Sequence, residues 1–158
     1  MLIDIIFNVK RYLIPLFSLF LPCKNLTTLL MNLLFVAIGS MFGGVSRYWL
    51  SGIIQKNTHT LFPLGVLSVN IIGCFIIGLL AGLSVHTNLL TQNHRLFLII
   101  GFCGSFTTFS SFSLDNLKLV TTKAYFLFSL NIGLSVILGL LATWLGYYLM
   151  QNLFRQLQ

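Results

Sequence analysis

The sequence predicts an all-α membrane protein with four transmembrane helices, the third of them broken. Three observations lead there. Of 158 residues, 57% are hydrophobic and only 7% charged, where soluble domains carry roughly a quarter charged residues, and the mean hydropathy is +0.96. Four apolar stretches each reach the ~20 residues that a helix needs to cross a ~30 Å hydrocarbon core. Inside the third, Gly101-Phe102-Cys103-Gly104-Ser105-Phe106-Thr107-Thr108-Phe109-Ser110-Ser111-Phe112-Ser113 interrupts the helical pattern with glycines and hydroxyls. A bilayer tolerates irregular backbone only where it is buried in protein or lines a cavity.

Residues 1–30 read as an N-terminal extension. Lys10 and Arg11 precede the apolar run Leu13 to Leu21, which contains Pro15 and is too short to span. Leu21-Pro22-Cys23 lacks the small residues of a cleavage site. The extension is expected to lie at the interface or upstream of the native start, since Met31-Asn32-Leu33-Leu34 resembles a beginning. Residues 31–158 form one four-helix unit. Span one, 32–54, carries Gly39 and Gly43 on one face, a spacing that permits close helix approach, and Arg47 near its far end. A polar loop, Gln55 to Thr60, leads to span two, 63–85, with Pro63 suited to a first turn. Span two holds Asn70 at about one third of its depth, with Gly73, Gly78 and Gly82. After the loop His86 to His94 comes span three, 95–120, with the interruption. Span four, 125–150, ends in the interfacial aromatics Trp144, Tyr147 and Tyr148.

The net charge is +7, but Lys56, Arg95, Lys118, Lys123 and Arg155 fall at span boundaries, where membrane anchors belong. That distribution excludes a nucleic-acid surface. Arg95 and Arg155 on one side nearly balance Lys56, Lys118 and Lys123, offset by Asp115, on the other. The positive-inside rule therefore sets little preference, and both insertion orientations are physically open. Four spans are too few to wrap a roomy cavity, so self-association is expected. Cys23, Cys74 and Cys103 have no metal or redox spacing, and Cys74 and Cys103, inside apolar spans, read as packing residues. There is no Glu, and the two acids are Asp4 and Asp115, the latter placed to pair with Lys118 at i, i+3. His59, His86 and His94 are scattered in loops. No nucleophile–base pair or phosphate loop appears, so no enzyme is expected.

Each candidate residue has two readings. Carbonyls freed at the interruption can be satisfied by the hydroxyls of Thr107, Thr108, Ser110 and Ser111 in a plain kink. Alternatively they coordinate a small hard cation such as Na⁺, and two chains meeting there around a two-fold axis would contribute a pair of oxygens each. Phe109 and Phe112, with Phe106 one turn earlier, form either a packing stripe or a row of positive ring edges that attracts an anion. Asn70 either donates to an anion or pins a neighbouring helix. Ser129, Asn131 and Ser135 either extend a row of donors or bond between helices. Arg47 either supplies positive potential to a vestibule or snorkels to the interface.

The whole set resembles the Fluc (CrcB) family of fluoride ion channels over about residues 31 to 150. Its carriers are Gly39-x-x-x-Gly43-x-x-x-Arg47, Pro63-Leu64-Gly65-x-x-x-Val69-Asn70-x-x-Gly73 and Gly101-Phe102-Cys103-Gly104-x-x-Thr107-Thr108-Phe109-Ser110-x-Phe112-Ser113. Ser105 stands where a second glycine is usual, Ser111 where threonine is common, and Gly139 about where another hydroxyl is expected. The resemblance implies an antiparallel, dual-topology homodimer in the cell membrane, with two pores flanking a central structural Na⁺. It implies that backbone oxygens of Gly104 and Thr107 hold the Na⁺. It further implies a fluoride pathway along Asn70, Phe109, Phe112, Thr108, Ser110 and Ser135, with Arg47 in the vestibule. The expected function is passive export of F⁻ down its gradient, lowering cytoplasmic fluoride toxicity. Two rivals stand beside it: a proton-coupled small drug exporter, which needs a carboxylate at depth, and a non-transporting assembly subunit whose polar residues only bond helices.

Overall fold

The computed structural model describes residues 25–86 and 90–156. The described residues are helical: α1 Leu26–Thr58, α2 Leu64–His86, α3 Gln92–Arg95, a π-helix over Leu96–Cys103, α4 Gly104–Phe106, α5 Phe109–Thr121 and α6 Tyr125–Gln156. Four stretches are long and apolar enough to cross a membrane: Leu26–Thr58, Leu64–Val85, Gln92–Thr121 and Tyr125–Gln156. Residues 34–158 form one compact unit, and every contact given below lies within it. In the other unit, residues 1–33, the chain is helical from Leu26. The expected extension falls mostly on residues 1–24, outside the described residues, as do Cys23 and Asp4.

The helices run past the expected ends of spans one and four, to Thr58 and Gln156. Their polar ends keep the helical ladder once they leave the apolar region, so hydropathy marks the membrane crossing and not the helix. Pro63 stands one residue before α2, not in its first turn: its carbonyl accepts the Leu67 N–H at 3.0 Å. Gln55 clasps the preceding loop, donating from Nε2 to the carbonyls of Thr60 (2.9 Å) and Phe62 (3.2 Å) and accepting the Gly65 N–H at 3.1 Å. That clasp fixes where α2 enters. The π-helix is not foreseen by the sequence pattern, since its residues are apolar on every side.

Backbone-to-backbone packing holds the bundle together. A Cβ on Gly39 would collide with Phe97 O and one on Gly43 with Phe102 O, so α1 lies directly on the π-helix. The expected close approach at this glycine pair is thus made, and its partner is the third span. Ser40 Oγ adds a long hydrogen bond to Gly101 O at 3.5 Å. α2 and α6 share an extensive helix contact, with Gly78 against Thr143 O and Gly146 against Phe75 O. Without an aqueous driving force, membrane helices associate through such close van der Waals contact.

The buried apolar set is small, including Phe62, Leu67, Val69, Leu96, Cys103, Phe106 and Leu119. Cys103 is a packing residue, as expected; Cys74 is half-buried. Large apolar side chains such as Phe42, Trp49, Leu140 and Trp144 face outward, which a hydrocarbon environment permits. Trp144 stacks on Tyr148 with centroids 5.4 Å apart. Asp115 pairs with Lys118 at 3.1 Å, as the spacing predicts.

Gly43→Val places a side chain against an immovable carbonyl. Overpacking of that kind costs about 1–3 kcal/mol, and the variant is expected to melt at clearly lower temperature in detergent, followed by gel filtration. Gly44→Ala, where nothing lies within 4 Å, is expected to melt at or above the parent.

Candidate functional site

Between α4 and α5 two residues are extended: Thr107 at φ −81°, ψ 151° and Thr108 at φ −149°, ψ 117°. The α4 ladder ends at Thr107, whose N–H and Oγ1 both donate to Cys103 O, at 3.0 and 2.9 Å. A continuous helix would send the Thr108 N–H to Gly104 O and the Ser111 N–H to Thr107 O. Here the Thr108 N–H goes to Asn70 Oδ1 at 2.8 Å. The Ser111 N–H goes to Thr108 Oγ1 at 3.2 Å. The carbonyls of Gly104 and Thr107 therefore lose the donors a continuous helix would give them. Gly104 is exposed, and the only heavy atom near its absent side chain is Ile99 O at 3.8 Å.

Asn70 on α2 bonds both sides of Thr108. Besides accepting its N–H, it donates from Nδ2 to Thr108 O at 3.3 Å. One amide thus supplies, from another helix, the acceptor that the Thr108 N–H loses and adds a bond to the Thr108 carbonyl. One Nδ2 hydrogen serves this contact, and the other points elsewhere. Gly73, one turn along α2, makes room for the methyl of Thr107, which a Cβ there would strike.

Thr108 is the N-cap of α5, and its side chain organises the first turn. Its hydroxyl lies 3.0 Å from Ser110 Oγ and donates to Ser111 Oγ at 3.2 Å. Ser111 Oγ also accepts from Arg47 Nη1 at 3.3 Å, tying α1 to α5. Arg47 is half-buried, and its Nε is buried with no hydrogen-bond partner. Asn70, Thr108, Ser110 and Arg47 are thus brought together, and Ser111 is the link that the sequence reading passed over as a site residue. The signal was present: Thr108-x-x-Ser111 has the spacing of an N-cap and the residue it caps.

The phenylalanines divide. Phe109 is 80% exposed, and its ring lies 5.6 Å from that of half-buried Phe112 at 41°. Phe106 turns inward at 3% exposure and stacks on Phe102 at 5.5 Å, so it is separate from the outer pair. Ser135 stands apart from the Thr108 network. It lines an open groove of about 280 Å³ with Cys74, Val136, Gly139, Leu140 and Thr143, its Oγ buried without a hydrogen-bond partner. Asn131 does not join a row of donors toward that groove; it donates to Asn116, a residue that nothing in the sequence pattern singles out. Among the described residues no His, Cys, Asp or Glu cluster could hold a metal, so a cation here would meet neutral oxygens.

Comparison with known proteins places the chain. The family model described as "CrcB-like protein, Camphor Resistance (CrcB)" matches residues 34–147. The chain is 43% identical over 121 residues to a "Fluoride-specific ion channel FluC" of Azobacteroides pseudotrichonymphae, covering 77% of this chain and 97% of that protein. A protein of the same name from Geobacter sulfurreducens is 44% identical over 115 residues, covering 73% and 93%. One from Methylocella silvestris is 41% identical over 119 residues, covering 74% and 91%.

Thr108→Val keeps the shape of the residue but removes the cap. Loss of an N-cap hydroxyl costs about 1 kcal/mol. The variant is therefore expected to lower the thermal midpoint and to speed amide hydrogen exchange at Ser111, read by mass spectrometry.

Proposed function

Because the chain belongs to the CrcB family, we propose that it is a fluoride-selective channel that lets F⁻ leave the cell passively down its gradient. It is a multi-pass membrane protein. The observation that carries the reading is the set of uncharged donors at the start of α5, Asn70 Nδ2 and the hydroxyls of Thr108, Ser110 and Ser111, beside the rings of Phe109 and Phe112. F⁻ is small and tightly hydrated, so a pore must replace its water with hydrogen-bond donors. Ring edges add a weak positive field. Neutral donors attract the ion without holding it as a full charge would, which a conducting path requires. Arg47, close by through Ser111, raises the local anion concentration.

Downhill flow needs no coupling group. HF enters by crossing the membrane and dissociates inside, so the F⁻ it leaves there can exit along its own gradient. The drug-exporter alternative needs an ionisable carboxylate at depth. Among the described residues the one acid is Asp115, and it is paired with Lys118.

The proposal extends to a structural Na⁺ on the backbone oxygens of Gly104 and Thr107. What supports it is the donor set: two carbonyls deprived of their helical N–H groups, with no His, Cys, Asp or Glu cluster for a metal among the described residues. Neutral oxygens suit a hard monovalent ion, and broken membrane helices offer them at their ends. Bound there, Na⁺ would supply positive charge that compensates carbonyl dipoles in a place without water. A second, antiparallel copy meeting this one at Gly104 would double the oxygens. The near balance of basic residues across the membrane supports insertion in both orientations.

Reconstituted in liposomes, the protein is expected to release F⁻ and not Cl⁻, followed with ion-selective electrodes; equal Cl⁻ flux, or no flux of either anion, refutes the reading. Asn70→Ala and Phe109→Ile are expected to lower F⁻ efflux, Asn70→Ala by ~10-fold or more because hydrogen bonds to charged groups are worth about 1.5–3 kcal/mol. An assembly subunit would show no change in either variant. Exchange of Na⁺ for N-methylglucamine on both sides is expected to slow F⁻ efflux reversibly. Efflux indifferent to Na⁺ would remove the proposed ion while leaving the channel.

A further inference from the structure

Asn116 and Asn131 are the two buried polar residues of the described chain, at 7% and 1% exposure, and neither contributes to the network at Thr108. They are bonded in series. Asn131 Nδ2 on α6 donates to Asn116 Oδ1 on α5 at 3.0 Å, and Asn116 Nδ2 donates to Phe112 O at 2.9 Å. The order has a consequence. With its oxygen held by the α6 donor, the Asn116 amide is turned so that its nitrogen faces back along α5, to the carbonyl four residues earlier. That carbonyl belongs to the residue whose ring meets Phe109.

A packing role alone does not call for two amides in an apolar span. Burying an amide costs free energy unless it is bonded, and interhelical hydrogen bonds in membranes repay only modestly. What a buried polar pair supplies is direction: it is satisfied at one rotation and register of the two helices and at no other, as a buried asparagine fixes register in a coiled coil. Leu119, also buried on α5, packs without that selectivity.

Resting on the fluoride-channel reading of Phe109 and Phe112, we propose that Asn131 and Asn116 are positioning residues. They lock α5 against α6 in rotation and so hold the Phe112 ring in its place beside the anion path. Neither touches the ion.

The test uses the full chain in liposomes as wild type, Asn116→Ala, Asn131→Ala and the double variant, each also made with 4-fluorophenylalanine at position 112. Each single variant is expected to move the ¹⁹F resonance of that ring. Each is also expected to lower the F⁻ over Cl⁻ ratio about three- to tenfold, the worth of one interhelical bond. The double variant is expected to be no worse than the worse single one, because the two residues act in one chain of bonds. An unmoved resonance, an unchanged ratio in a conducting parent, or additive losses each overturn the proposal. A parent that carries no F⁻ removes the channel reading instead, and the resonance alone then decides the positioning role. If Asn131→Ala does not insert, Asn131→Ser, which keeps a polar group but not its reach, is read in the same way.

Discussion

The bond pair between the Asn70 amide and the Thr108 peptide is the contact on which the rest of the third span depends. In hydrocarbon every backbone N–H and C=O must find a partner within the protein. Two extended residues at Thr107 and Thr108 forgo several such partners at once. Asn70 returns one of them from another helix, accepting the Thr108 N–H at 2.8 Å, and the Thr108 hydroxyl returns another to the Ser111 N–H. The carbonyls of Gly104 and Thr107 are among those that stay without the donors of a continuous helix. The same device that makes the extended residues tolerable thus leaves main-chain oxygens without helical donors.

Such a device works only if α2 and the third span cannot drift apart. The glycines of α1 seat the π-helix so closely that backbone meets backbone, and Gly78 and Gly146 do the same for α2 and α6. Packed backbones are stiff, because no flexible side chain lies between them to absorb a shift. Into that frame α5 is fastened at its start by Arg47 through Ser111 and one turn later by Asn116 through Asn131. Phe112 lies between these two fastenings, and Phe109 stands just before the first.

The chemistry is almost free of charge. With one acid among the described residues, itself paired, the polar groups around Thr108 are amides, hydroxyls and main-chain atoms, with the guanidinium of Arg47 the one charge bonded to them. Neutral dipoles can be oriented by the fold without the desolvation cost of ions, and they offer an ion either donors or acceptors depending on which end faces it. Around Thr108 the hydroxyls and the amide nitrogen present donors, whereas Gly104 and Thr107 present oxygens. Hydrogen-bond donors and main-chain oxygens therefore sit within a few residues of one another.

Composition and length alone determined that this chain carries four stretches long and apolar enough to cross a membrane, because the hydrocarbon core demands long apolar helices and little else does. The glycine pair of span one was legible for the same kind of reason: a four-residue spacing of small residues has one use in a bilayer. Asn70 and the hydroxyls of 107–111 stood out because polarity at depth is costly. Which of them pair with which was decided by the tertiary structure. A helix surrounded by lipid is apolar on every side, so its sequence carries little information about rotation, and rotation is what separates Phe106 in the core from Phe109 outside. For that reason Arg47 with Ser111, Asn131 with Asn116, and the π-helix became visible only once the helices were docked.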